Sequence, residues 1–151
     1  DTFMFEGHAT TSMALTYVLY LTGYYPEVQR KLRQEVDGVF GGLDPECDVT
    51  ADHLRELKYM DMVIKEAQRL LPSVPLMGRT IDEDMLLDGK AVPKGTDVTI
   101  SIYALHHDPN VWDKPEEFIP ERFSPEQSKN RNPFAFTPFS AGLRNCIGQK
   151  I

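Results

Sequence analysis

The residues best placed to do chemistry lie in the segment Phe139-Ser140-Ala141-Gly142-Leu143-Arg144-Asn145-Cys146-Ile147-Gly148. A cysteine thiolate binds a metal only where its negative charge is stabilised, and glycines such as Gly142 and Gly148 let backbone N–H groups come close to the sulfur. Arg144, two residues before Cys146, adds positive charge that could also clamp an anionic cofactor group. Phe139 would shield the sulfur from water and so tune a bound metal. The plain alternative is a buried free cysteine in a glycine turn. Glu66 and Arg69 stand three apart, the spacing of an ion pair on one helical face, and the plain alternative is an exposed surface pair. Thr10 follows Gly7 in a stretch of helical composition. A helix that loosens near a glycine frees a carbonyl, and a threonine hydroxyl beside it can donate a proton; otherwise such a threonine is a back-bonded filler. Cys47 with His53, and His106 with His107, lack zinc spacing and read as surface or core residues.

Several elements must position these groups. Residues 3–22 have helical composition up to Gly23, and Pro26 opens a second helix. There Val28, Leu32, Val36 and Phe40 repeat every fourth residue, with Arg30, Lys31, Arg33 and Glu35 as a solvated opposite face and Gly38, Gly41 and Gly42 as the stop. Thr50 is a plausible N-cap for a short helix. A third clear helix covers about Lys58 to Leu71, closed by Pro72, with Tyr59, Val63, Ala67 and Leu70 on one face. Met85-Leu86-Leu87 and Ala91-Val92 flank Asp88-Gly89, a hairpin signal, and Val98, Ile100 and Ile102 alternate with Thr99, Ser101 and Tyr103 as a half-buried strand. The expected fold is mainly α with small β-sheets.

From His107 to Gly142 the chain carries six of its eleven prolines and almost no periodicity. Trp112, Phe118, Phe123, Phe134, Phe136 and Phe139 are too many aromatics for disorder, so this stretch must be pinned, and ending on a lone cysteine it suggests wrapping around a cofactor. The 151 residues suit one domain, and the formal charge of -7 argues against nucleic-acid binding. Two cysteines ninety-nine positions apart offer no disulfide framework, which suits a reducing compartment. No targeting segment is visible, and the apolar stretch Ser12 to Gly23 is too short to span a bilayer. The chain reads as an internal or C-terminal piece of a longer protein.

The cysteine segment resembles the F-x-x-G-x-R-x-C-x-G haem-binding signature of the cytochrome P-450 superfamily, the haem-thiolate monooxygenases. Glu66-Ala67-Gln68-Arg69 is similar to that family's E-x-x-R, Pro120-Glu121-Arg122-Phe123 to its P-x-R-F, and Glu6-Gly7-His8-Ala9-Thr10-Thr11 to its oxygen-groove motif. The four stand in the family's order across nearly the whole chain, which implies residues 1–151 as a partial cytochrome P-450 domain. The resemblance implies Cys146 as axial ligand of haem iron, Arg144 and Arg79 as haem-propionate partners, and Thr10 with Gly7 as the oxygen-groove pair. It implies that Glu66, Arg69 and Arg122 form a structural cluster that holds the neighbouring loop. An ordinary surface arginine is the alternative for Arg79. Phe5-Glu6-Gly7-His8 and Tyr103-Ala104-Leu105-His106-His107-Asp108-Pro109 resemble family four, many of whose members hydroxylate fatty acids at or near the terminal carbon. Glu6 stands where some members ester-link the haem.

One departure matters. Most relatives carry Asp or Glu immediately before the motif threonine, and here that residue is Ala9, which removes a plausible link in a proton relay. The implied function is a monooxygenase inserting one oxygen atom from dioxygen into an apolar substrate such as a fatty acid. The alternatives are a non-catalytic haem-binding protein or decayed enzyme, and a haem-thiolate isomerase or peroxide-using variant. The implied partners are an NADPH-dependent flavoprotein reductase and cytochrome b5, at the cytoplasmic face of the endoplasmic reticulum membrane, with the anchor in the missing N-terminal part. Residues near Phe3 to Thr11 and Val74 to Gly78 would line the substrate side. Lys129, Arg131, Arg144 and Lys150 against Glu126 alone make the end of the chain basic, either a solvated loop or a docking face for an acidic redox partner. The isolated piece is expected neither to fold stably nor to bind haem properly.

Overall fold

The computed structural model describes residues 1–44 and 46–150, apart from the side chains of Thr2 and Lys150; the Lys150 part of the basic stretch therefore lies outside the described side chains. Four helices come first: α1 (Thr2–Tyr24), α2 (Pro26–Phe40), α3 (Ala51–Glu56) and α4 (Lys58–Leu70). On α1 apolar residues occupy the whole circumference, so no single face is set aside for the core. Leu21 is buried, whereas Phe3, Met4, Phe5, Leu15, Leu19 and Tyr20 are exposed. No helix among the described residues is long and apolar enough to cross a membrane.

On α2 and α4 the apolar positions do form stripes. Val28 of α2 meets Val63, Ala67 and Leu70 of α4, together with Leu21 and Phe118, in the hydrophobic core, and Val18, Tyr25, Tyr59 and Leu71 pack around it. Pro26 opens α2 as the sequence suggests. Gly38 lies inside that helix and does not stop it; the end falls at Gly41, whose N–H donates to the Asp37 carbonyl at 2.8 Å. Thr50 caps α3 through its side chain, accepting from His53 N–H, while the Thr50 N–H donates to the His53 ring.

The solvated reading of the α2 polar face fails at two positions. The Glu35 carboxylate accepts from the backbone N–H groups of Tyr59 at 2.6 Å and Met60 at 2.8 Å, so α2 caps the start of α4 from another helix. Lys31 pairs with Glu121 at 2.5 Å, reaching ninety residues along the chain. Tyr59 also contacts Glu121, and burial, with both carboxylates adding to it, pushes its phenol up to about 12.

Two small antiparallel sheets follow. The first pairs β1 (Leu76–Thr80) with β4 (Asp97–Ser101), Gly78 opposite Thr99. The second is the expected hairpin, β2 (Met85–Leu87) with β3 (Lys90–Val92), turning through Asp88 and Gly89 at φ 50° and 74°. The strand expected through Tyr103 ends at Ser101. The Ser101 hydroxyl accepts from Ala104 N–H at 3.1 Å and caps α5 (Ile102–His106), whose Tyr103 N–H reaches the Pro75 carbonyl. Beyond α5 the proline-rich stretch is built of short turns, among them 3₁₀ turns at Pro120–Phe123 and Pro133–Ala135 and α6 (Pro125–Ser128). Trp112 and Phe118 anchor it, 1% and 5% exposed. The fold is mainly helical with small sheets, as expected.

Candidate functional site

Two structures meet around α4 and α5: a buried ionic cluster and an open cysteine loop. Glu66 and Arg69 are fully buried and Arg122 is 6% exposed. Arg69 Nε and Nη2 donate to the two Glu66 oxygens at 2.7 and 2.9 Å, a bidentate pair. Arg122 Nε donates to Glu66 Oε1 at 3.3 Å, and the Ile119 N–H adds a bond of 3.0 Å to the same oxygen. Arg69 also donates to the carbonyls of His106 at the end of α5 and of Pro115 and Glu117 in the proline-rich stretch, and Arg122 donates to that of Lys114. The exposed-pair alternative for Glu66 and Arg69 is thereby excluded. Buried ions need this many partners, because desolvation costs several kcal/mol per ion, order of magnitude, unless every lone pair and proton is satisfied.

Sequence reasoning missed three members of this neighbourhood. Trp112 lies between the guanidiniums of Arg69, 5.1 Å from its ring centroid, and Arg131, 4.2 Å away. Arg131, expected in a solvated or partner-docking basic loop, instead donates to the Arg122 carbonyl at 2.6 Å and covers Trp112. No local pattern signals this, since the partners come from separate segments. His106, read from sequence as a surface or core residue, is fully buried; its Nε2 accepts from Thr137 N–H at 3.1 Å, and among the described residues its Nδ1 has no hydrogen-bond partner. Burial, aided by the Arg69 and His107 charges, lowers its pKa to about 4. The unfolded ring, near 6.5, takes a proton first. Stability from the neutral ring is therefore complete above about pH 6.5 and is lost as the pH falls towards 4.

The cysteine loop is shaped by backbone. Cys146 N–H donates to the Phe139 carbonyl at 2.8 Å, and Asn145 N–H to the Gly142 carbonyl at 3.2 Å. Ser140 and Gly142 sit at φ 63° and 80°, the left-handed region in which glycine carries no steric cost. A Cβ on Gly148 would lie 3.8 Å from the Cys146 sulfur, an ordinary contact. Cys146 is exposed in this chain, and Phe139 and Leu143 are exposed beside it. Arg79 on β1 reaches this loop, donating from Nη2 to the Arg144 carbonyl at 3.3 Å. One accessible thiol, two arginines and apolar side chains form a donor set that suits haem, with a soft iron ligand and cationic partners for carboxylates.

The oxygen-groove residues occupy the start of α1. The helix is continuous through Gly7, so the expected loosening is not seen. The Thr10 hydroxyl donates to the Glu6 carbonyl at 2.7 Å, the back-bonded geometry, which satisfies the hydroxyl without opening the helix. Glu6, Gly7 and Thr10 are exposed, as is Ala9.

The family model for Cytochrome P450 matches residues 1–151. The chain is 57% identical over 151 residues to Cytochrome P450 4V2 of Mus musculus and 51% identical to Cytochrome P450 4c3 of Drosophila melanogaster. It is 49% identical over 150 residues to Leukotriene-B4 omega-hydroxylase 3 of Mus musculus. These matches cover 99–100% of this chain and 28% of each relative, so the chain spans just over a quarter of their length.

Proposed function

Because the chain belongs to the cytochrome P450 family, we propose that it is the haem-ligand part of a haem-thiolate monooxygenase and that Cys146 is the axial ligand. The observation that carries this reading is the exposed Cys146 in a backbone-folded loop, with Arg79 joined to the same loop. Bound haem supplies the activation of dioxygen and the transfer of one oxygen atom to an apolar substrate. The residues do the rest. The Cys146 thiolate would be the iron ligand, and Arg144 and Arg79 would hold the propionates. Phe139 would shield the sulfur from water once haem is bound and the rest of the protein is in place. Thr10 holds a proton at Oγ1 and must turn from the Glu6 carbonyl to pass it on. Glu66, Arg69 and Arg122 fix the wall behind the loop and take no part in the chemistry.

A fatty acid is the proposed substrate class, hydroxylated at or near its terminal carbon, supported by a relative named as an omega-hydroxylase. Electrons would come from an NADPH-dependent flavoprotein reductase, with cytochrome b5 as a second donor. The full-length protein would sit at the cytoplasmic face of the endoplasmic reticulum membrane, and residues 1–151 would be part of its single haem domain. The exposed apolar side chains of α1 would be covered by the remainder of that protein.

The test is the reduced, carbon-monoxide difference spectrum of the full-length protein beside Cys146→Ser. A red-shifted thiolate Soret band that vanishes in the variant is expected; folded wild-type protein without the band would overturn the reading. Ala9, together with the engaged Thr10 hydroxyl, favours a second reading, a haem protein without oxidase turnover. Substrate-dependent oxygen consumption with reductase separates the two, and Ala9→Asp should raise the share of electrons ending in product if the relay is merely weakened. Turnover without reductase would point to the isomerase or peroxide-using variant.

A further inference from the structure

We propose that His106 is a positioning residue for the cysteine loop, tying the start of that loop to the buried ionic cluster through its neutral imidazole. The proposal rests on Cys146 being the thiolate ligand. His106 makes two connections in opposite directions. Its backbone carbonyl accepts from Arg69 Nη1 at 2.8 Å, which fixes it to the Glu66–Arg69 pair. Its ring Nε2 accepts the Thr137 N–H at 3.1 Å, two residues before Phe139, whose carbonyl receives the Cys146 N–H. The Phe136 ring packs against the imidazole at a centroid distance of 5.1 Å. One fully buried residue thus links α4, through its carbonyl, to the first residue of the strap that leads to the sulfur, through its ring.

The chemistry of the ring decides how this tie can be released. An imidazole nitrogen that accepts a backbone N–H must be unprotonated, so the proton resides on Nδ1. An imidazolium carries N–H at both nitrogens, and Nε2–H would then face Thr137 N–H, donor against donor. Arg69 from α4 and His107, just beyond α5, both disfavour a charge on the ring and add to the penalty. His107 is occupied with the Tyr103 carbonyl and lies 3.9 Å from Glu116, and Glu66 is committed to Arg69 and Arg122, so neither carboxylate bonds the His106 ring. Acid therefore unfastens the loop from the cluster while the guanidinium pairing of Arg69 stays intact.

The test is a pH titration of the thiolate Soret band in full-length, haem-loaded protein from about pH 7.5 to about pH 3, for wild type, His106→Gln and His106→Phe, with total haem measured alongside. A glutamine amide oxygen can accept the Thr137 N–H and does not titrate. His106→Gln should keep the band at neutral pH and lose it at least about one pH unit lower than wild type. His106→Phe, which fills the space without an acceptor, should show at least a twofold weaker thiolate band at neutral pH with its haem retained. Equal midpoints for wild type and His106→Gln would overturn the proposal even if the phenylalanine variant failed to fold, as would an undiminished band in His106→Phe. Wild-type protein that binds haem without any thiolate band would instead break the ligand assignment of Cys146, and this proposal with it.

Discussion

The ionic cluster and the cysteine loop are linked through His106 and Thr137, yet they are built in opposite ways. In the cluster, side chains do the holding: three buried charged residues satisfy one another and four backbone carbonyls across separate segments. In the loop the holding is done by the main chain, with Cys146 tied back to Phe139 and two residues at positive φ, while Leu143 and Cys146 stand open to solvent. The difference teaches where each region is vulnerable. A cluster of this kind fails when any one side chain is removed, because the survivors are left charged and unpaired. A backbone-shaped loop tolerates side-chain changes wherever φ is ordinary and resists them only where it is not.

The largest effect should come from the cluster. Arg69→Ala leaves Glu66 buried beside Arg122 alone and frees three carbonyls, and it should cost about 3–5 kcal/mol in denaturant unfolding of the full-length protein. A loss below about 1 kcal/mol would mean that the cluster is not the keystone its geometry describes. Next is Gly142→Ala in the loop. Nothing crowds a Cβ there, so the cost is conformational alone, about 1–2 kcal/mol for an alanine at φ 80°. Glu35→Ala removes the cross-helix cap of α4 and should cost roughly 0.5–2 kcal/mol, as measured caps do. Smallest is Gly148→Ala, which lacks a positive φ and gains only an ordinary contact with the sulfur; its stability should stay within about 0.5 kcal/mol of wild type. If Gly148→Ala proves as damaging as Gly142→Ala, the main-chain account of the loop is wrong.

Where residues interact with near neighbours, the sequence could be read. The stripe on α4, the Thr50 cap and the Asp88-Gly89 turn all depend on contacts within a few positions, and each is found in place. The end of β4 was misjudged because the alternation through Tyr103 is real, but the Ser101 hydroxyl offers the backbone a helical cap. β1 escaped notice since its exposure does not alternate. In the site, Glu66, Arg69 and Arg122 were identifiable from their motifs. His106, Glu35, Arg131 and Trp112 were not, because their partners lie between nine and forty-three positions away, and no local spacing encodes such pairings. Thr10 was recognisable as a residue, whereas its bond to Glu6 had to be seen.

The tryptophan between Arg69 and Arg131 has a practical consequence. It is the chain's only indole, and it is 1% exposed at the centre of the cluster. Its fluorescence should therefore report one event within these residues, the parting of two guanidiniums from a buried ring, and stay silent when α1 or the β2–β3 hairpin moves. Emission that shifts to the red before the helices melt would mark the cluster as a separately opening unit, with its own free energy of exposure.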